Sequence, residues 1–374
     1  MRGTADALIV GGGPAGATAA ALLAEAGRRV VLFERSRGPH HKVCGEFLSG
    51  EAAGLLDRLG LDPAGLGAVP VGRVRLVAGR REAAADLPFP AWGLSRETLD
   101  EALLDAAAAR GASIRRGAAV RRLETGPGGA VAHAGACRVA AASALLATGK
   151  HDLRGHARPP GRVNDLIGFK QHWRPGARAL RALDGHVEIY LFPGGYAGLQ
   201  MVPDGRANLC LVVRRATYDR VGRTWPALLE RIAAACPAFA ERLDGGEPCW
   251  PRPLSIFGIP YGFVHRGDGS GMGTAHRVGD QLAVIPSFCG DGMAIAMDSA
   301  RRAAERILTG TAPGDGAPYA RQIATAHAAG RIVGDPFAAA WAVAAANLAP
   351  GLLTWFARCT RVAGSALAGR GDPA

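Results

Sequence analysis

Ala7-Leu8-Ile9-Val10-Gly11-Gly12-Gly13-Pro14-Ala15-Gly16 is where the chain commits itself. Four apolar residues predict a buried strand, the glycines a turn, and the Ala-rich run from Pro14 and Ala15 to Ala26 a helix. The G-x-G-x-x-G spacing gives each glycine a task. Gly11 permits the tight turn, Gly13 lets backbone N–H groups approach a pyrophosphate, and Gly16 lets the helix lie close on the strand. The helix N-terminus adds the positive end of its dipole. Arg29-Val30-Val31-Leu32-Phe33 predicts a second strand ending at Glu34, with Arg35 after it, at the spacing of a carboxylate that grips ribose hydroxyls. Strand, glycines, helix, strand and acid in one unit predict a dinucleotide site.

The 374 residues, 48% of them hydrophobic, are enough for two or three interlocked domains around large cores. The formal charge of +12 is almost all arginine, scattered, with lysine only at Lys42, Lys150 and Lys170. No basic run interleaved with aromatics occurs, so a nucleic-acid partner is not expected. The seven cysteines form no CxxC pair and the ten histidines have no ligand spacing, which predicts no metal site. With no signal-like N-terminus, a cytoplasmic protein is expected. HExxH and GxSxG are also absent, which removes the easiest hydrolase readings.

Far along the chain, Val278-Gly279-Asp280 is followed by Pro286-Ser287-Phe288-Cys289-Gly290-Asp291-Gly292-Met293 and a helix through Ile307. Together with the N-terminal loop, this pattern resembles the glutathione-reductase-like flavoproteins, particularly the geranylgeranyl reductase and aromatic-ring hydroxylase (flavoprotein monooxygenase) branches. The resemblance covers nearly the whole chain. It implies an α/β fold: a Rossmann-like FAD-binding domain, an interleaved antiparallel β-sheet substrate domain, and C-terminal helices. The expected divisions are 1–75, 96–160 and 273–312 for the FAD-binding parts, 76–95 and 161–272 for substrate-domain strands, and 313–374 for the C-terminal helices.

The same resemblance implies the cofactor contacts. Asp280, after Gly279, would meet the ribityl chain or pyrophosphate. Gly290, Asp291, Gly292 and Met293 would bring backbone amides to the flavin pyrimidine, where reduction places negative charge. Lys42-Val43-Cys44-Gly45-Glu46-Phe47-Leu48-Ser49 resembles the geranylgeranyl-reductase segment beside the isoalloxazine ring, which places Cys44 and Gly45 there. Cys44 reads either as a proton donor or as a small apolar side chain. Arg96 would lie near the flavin, Val120 at the adenine, and Thr148-Gly149 beside the dinucleotide. Where aromatic hydroxylases carry an Asp-Gly motif, this chain has Lys150-His151-Asp152-Leu153-Arg154. His40 reads as a loop residue or a proton donor.

Strands are predicted at Ile167–Trp173, Val187–Phe192, Tyr196–Val202 and Ala207–Val213, the last two joined at Pro203-Asp204-Gly205, with one helix near Trp225–Leu243. Glu188-Ile189-Tyr190-Leu191-Phe192-Pro193-Gly194-Gly195-Tyr196 resembles the aromatic-x-Phe-Pro signature of the geranylgeranyl reductases. It implies that Tyr190 and Phe192 face the flavin, and that Phe192, Tyr196, Trp250 and Tyr261 line a substrate cavity. Ordinary sheet core is the other reading of these aromatics.

Phe337–Phe356 carries no charge, but Asn347, Pro350 and Gly351 interrupt it, so two helices with an apolar face are expected rather than a membrane span. That face is a candidate for peripheral contact with a membrane surface. The resemblance implies an FAD-dependent oxidoreductase, foremost a monooxygenase hydroxylating a hydrophobic, polyketide-like aromatic of secondary metabolism through a flavin hydroperoxide. Reduction of an isoprenoid-like alkene is the alternative, with a non-redox isomerase and a flavin-free lipid carrier below it. NAD(P)H would bind transiently or a separate reductase would supply electrons, because no second G-x-G-x-x-G follows a strand and the Gly267–Gly273 run lacks that context. Halogenation is not expected, since Trp-x-Trp-x-Ile-Pro is absent.

Overall fold

The helix Pro14–Glu25 is built almost wholly of small residues, and eleven of its twelve are buried. Alanine lets it approach both the sheet beneath and the helix Gly292–Leu308, while Pro14 in the first turn loses no hydrogen bond, since that position has no intrahelical acceptor. In the computed structural model, which describes residues 5–267 and 275–362, this helix covers the first of two sheets. Parallel strands Ser113–Arg116, Val30–Glu34, Ala5–Val10, Cys137–Leu146 and Ala275–Arg277 form its spine, and Gly129–Ala134 and Arg122–Gly126 extend it antiparallel. The spine strand Ala7–Val10 is fully or nearly fully buried, as a parallel strand covered on both faces requires.

The second sheet runs in the order Glu247–Pro248, Leu166–Arg174, Arg206–Arg214, Gly195–Val202, His186–Phe192, Val69–Ala78, Arg81–Gly93, Phe47–Ser49, and Leu254–Phe257 also pairs with Leu166–Arg174. Its pairings are antiparallel except for His186–Phe192 against Val69–Ala78. The chain enters this sheet at Phe47–Ser49 and Val69, ahead of the expected division at 75. The four predicted strands are present, each extended by a residue or so.

Two helix breaks have the same cause, the first unexpected and the second expected. The single helix expected near Trp225–Leu243 is two, Trp225–Ala235 and Pro237–Leu243, because Cys236 before proline is driven to an extended backbone at φ −133°. Likewise Phe337–Phe356 lies in two helices, Pro336–Leu348 and Gly351–Cys359, which break at Pro350 and bend by 112°. Among the described residues no single helix is long and apolar enough to cross a membrane. Residues 268–274, with most of the Gly267–Gly273 run, lie outside the described residues.

Candidate active site

Where the two sheets meet, a cavity of about 540 Å³ runs from the Gly11–Ala15 loop to Gly290 and Gly292. Its first wall follows from the glycines. Gly11 adopts φ +108°, and a Cβ there would sit 2.4 Å from the Ala147 carbonyl oxygen; at Gly16 it would sit 1.8 Å from the Gly11 oxygen. Both positions hold helix, turn and strand together, and Gly16 does so behind the cavity rather than in it. Gly13 differs. A Cβ there meets only side-chain ends, the Arg96 guanidinium at 3.3 Å and the Lys42 ammonium at 3.9 Å, so the backbone faces an open cradle with two cations over it.

Those cations are fixed by the next helix. Ser95 caps Arg96–Ala109 by accepting the Thr98 N–H, and Arg96 in the first turn makes two 2.8 Å bonds to Asp100, which also takes Lys42 Nζ at 2.9 Å. Burial opposes the charge on Arg96, but Asp100 and the neighbouring Cys44 outweigh it and hold the guanidinium charged. On the far side Lys150 lies 3.4 Å from Asp280, which raises its pKa against burial. Glu34 accepts N–H bonds from Gly12 (2.8 Å) and Ser36 (2.9 Å). Burial would raise its pKa; those bonds and Lys42 hold it below the usual carboxylate value.

Between these walls passes the segment His40–Phe47, with Cys44 and Gly45 lining the cavity. It is pinned from the second sheet through Glu46, a non-glycine residue at φ +58° with no exposed side chain. The carboxylate is bonded to the fully buried Lys170 ammonium, lies 2.6 Å from His172 Nε2, and accepts the Arg96 N–H at 2.7 Å. Gln200 donates to the Glu46 carbonyl at 2.8 Å, and Asn208 to those of Cys44 (3.0 Å) and Gly45 (2.8 Å). A left-handed non-glycine residue costs about 1–3 kcal/mol, and these bonds over-determine it. His41 packs on the same group, with ring centroids 4.9 Å from His172 and 4.6 Å from Trp250. The ligand-type atoms of His41, Glu46 and His172 all lie within 4.8 Å. Lys170 already supplies the countercharge that a divalent cation would bring, and it would repel one.

The cluster predicts a pH dependence. Burial would raise the Glu46 pKa, but Lys170 and His172 lower it from 4.5 to about 2. Burial also pushes His172 below 6.5, against the pull of Glu46. As pH falls, the unfolded chain takes up a proton at each of these groups that the native state resists, so stability is lost from about pH 6.5 downward and most steeply between about 4.5 and 2. Urea midpoints should fall monotonically across this window, and the Glu46→Gln variant should lose the lower part of the slope.

The sequence-predicted site residues divide. Gly11, Gly13, Pro14, Ala15, Glu34, Arg35, Cys44, Gly45, Arg96, Val120, Thr148, Gly149, Gly279, Asp280, Gly290, Gly292, Met293 and Tyr261 all line the cavity, as does His40. Tyr190 and Phe192 do not. Period-two alternation points both to the opposite face of the second sheet, where Tyr190 bonds to Glu188 and packs edge-on to Phe239 at 5.2 Å. The expectation that they face flavin or substrate is therefore corrected. Tyr196 points to the inner face but stands behind the wall, its hydroxyl 2.9 Å from that of Tyr261, which donates to Ser287 at 2.7 Å. Trp250 supports His41 rather than the cavity itself. Asp291 also turns away, fully buried against Arg361 (3.2 Å), Ser49 and Gln322, and burial raises its pKa to about 7 despite that arginine. Only the glycines beside it present backbone to the cavity.

The residues missed are Lys42, Glu46, Lys170 and His172. A signal existed for two of them: Lys170-Gln171-His172 sets a cation and an imidazole on one face of a strand whose flanking residues, Ile167, Phe169 and Trp173, mark it as core.

Residues 4–136 match the FAD binding domain family. The fold is that of the halogenase PltM, with a TM-score of 0.70 at 17% identity over 82% of this chain and 70% of that one. Residues 4–136 thus carry an FAD binding domain, within a fold shared with FAD-dependent halogenases. Within this flavoprotein, 120 residues are 34% identical to a menaquinone reductase of Mycobacterium tuberculosis, covering 31% of this chain and 29% of that protein. A further match, 48% over 56 residues, is to a 6-methylpretetramide 4-monooxygenase of Streptomyces rimosus and covers 15% of this chain and 13% of that one. The flavoprotein thus matches less than a third of the length of either curated relative.

FAD fits the residues present. The open cradle at Gly13, the N–H groups of the Pro14–Glu25 N-terminus, and Lys42 and Arg96 would form an anion site for its pyrophosphate. Gly290, at φ +72°, and Gly292 stand at the start of a second helix at the far end of the cavity, suited to a group that gains negative charge.

Proposed function

We propose that this flavoprotein is a monooxygenase that hydroxylates a hydrophobic aromatic molecule. One observation supports the reading most. Hydrogen-bonding and charged groups gather at the dinucleotide loops, whereas Val43, Ile256, Val284, Ile285 and Met293 give the rest of the cavity an apolar lining. FAD bound there would supply two-electron redox chemistry, with NAD(P)H or a separate reductase as the electron source. The chain's own groups hold and screen. Lys42 and Arg96 bind the pyrophosphate, the Gly290–Gly292 amides stabilise charge, and the apolar wall keeps water from the reacting ring. One atom of O2 enters the ring, the other leaves as water, and the two electrons come from the donor.

A second reading, reduction of an alkene, draws on Cys44. Its sulfur accepts the Glu46 N–H at 3.4 Å and stands beside Arg96, where a thiol can give the proton that accompanies hydride transfer to the other carbon. The menaquinone reductase match stands behind this reading, and the 6-methylpretetramide 4-monooxygenase match behind the first. Isotopically heavy O2 separates them. The reduced holoenzyme is mixed with a phenolic polycycle or a polyprenyl quinone, and the products are weighed. Incorporation of one heavy oxygen carries the proposal; gain of two hydrogens, with no oxygen consumed, overturns it. Purified protein that retains no flavin would overturn both.

A further inference from the structure

The helices Pro336–Leu348 and Gly351–Cys359 expose Phe337 (80%), Trp341 (73%), Leu348 (87%) and Trp355 (61%), although 336–357 contains no charged residue. Phe337, Trp341 and Leu348 fall on one helix face by their spacing, while Ala339, Val343 and Ala346 on the other face are packed against the second sheet. The first helix is about 20 Å long, well short of a hydrocarbon core of about 30 Å, and the 112° bend keeps the pair from spanning together. Exposed arginines border the patch: Arg331 and Arg358 at its two ends, and Arg81, which donates to the Ala340 carbonyl, with Arg80 beside it at the Ala78–Arg81 turn. Of the exposed acids nearby, Asp335 caps the first helix, Asp86 pairs with Arg73, and Glu82 follows Arg81.

We propose that this face docks in the plane of an anionic lipid bilayer, with Phe337, Trp341, Leu348 and Trp355 entering the acyl boundary and the arginine rim meeting headgroup phosphates. An apolar face with tryptophans and a cationic border is what an interfacial helix pair requires, and the chain's formal charge of +12 has the complementary sign. A second copy is a poorer occupant, because a two-fold contact would set the arginine rims against each other. The C-terminal residues 363–374 are poorer still, with Leu367 as their only large apolar side chain. The face is also joined to the cavity wall. Phe356 stacks on Phe288 at 6.3 Å, and Phe288 meets Tyr196 edge-on at 5.5 Å, next to the Tyr261–Ser287 pair. The docking proposal does not depend on which redox reaction the flavoprotein performs.

Flotation of the full-length holoenzyme with vesicles tests this. Binding is expected to vesicles of mixed phosphatidylglycerol and phosphatidylcholine, weakening as salt rises, with little binding to pure phosphatidylcholine. The double variant Phe337→Ser/Trp341→Ser should lose at least about tenfold in partitioning, with flavin content and thermal midpoint unchanged. Arg331→Glu/Arg358→Glu should lose binding at low salt while keeping the apolar face. Equal binding by wild type and the serine variant overturns the proposal. So does an absence of vesicle binding, including the case where sedimentation instead finds a dimer that the serine pair dissociates.

Discussion

Glu46→Gln should destabilise this flavoprotein by about 3–5 kcal/mol, because the Lys170 ammonium it leaves behind is fully buried. Gln keeps the shape but cannot supply the charge. The loss has a second component, since the carboxylate also accepts the Arg96 N–H and meets His172, and the left-handed backbone at Glu46 depends on these bonds. Urea denaturation measures the first effect, and flavin retention measures the displacement of Cys44–Phe47 from the cavity. The paired variant Glu46→Gln/Lys170→Met should recover much of the stability, because removing both partners avoids the lone buried charge. A single Glu46→Gln change that costs under about 1 kcal/mol would show that the ion pair is not formed in solution.

Two glycines of the same loop, with different roles, give the other large effect. Gly16→Ala puts a methyl 1.8 Å from the Gly11 carbonyl oxygen, a backbone atom that cannot swing aside, so the helix Pro14–Glu25 must lift from the sheet. Overpacking of this kind costs about 1–3 kcal/mol, and the anion site moves with the helix. The expected result is a lower thermal midpoint together with flavin loss. Gly13→Ala has the opposite profile. Its methyl meets only the movable ends of Arg96 and Lys42, so the apoprotein should be as stable as wild type, while FAD affinity falls at least about tenfold because the methyl fills the cradle. Titration of the apoproteins with FAD, beside their melting curves, separates the two. Equal melting temperatures for both variants would contradict this division of labour.

The dinucleotide unit was legible because its evidence is local. Strand, turn and helix are consecutive, and each glycine answers a steric demand within a few residues, as Gly11 and Gly16 do against each other and Ala147. The strands of the second sheet were legible for the same reason. The aromatic strand His186–Phe192 was not, because alternation says that Tyr190 and Phe192 share a face but not which face looks inward. That was settled by Phe239, from a helix some fifty residues on, which packs against Tyr190. Asp291 was misplaced by its glycine neighbours, and Arg361, seventy residues later, holds it away from the cavity.

By itself the sequence determined a Rossmann-like unit with an anion-binding loop, the four central strands of the second sheet, and an uncharged C-terminal pair broken at Pro350, since each rests on neighbours within one element. The parallel pairing of His186–Phe192 with Val69–Ala78, which makes the sheet mixed rather than antiparallel, came only with the structure. Only the tertiary structure decided the lining of the cavity and the state of its charges. Glu46 lies more than 120 residues from Lys170 and His172 in the chain, and burial, which makes their pairing obligatory, is a property of the packed protein and not of any segment.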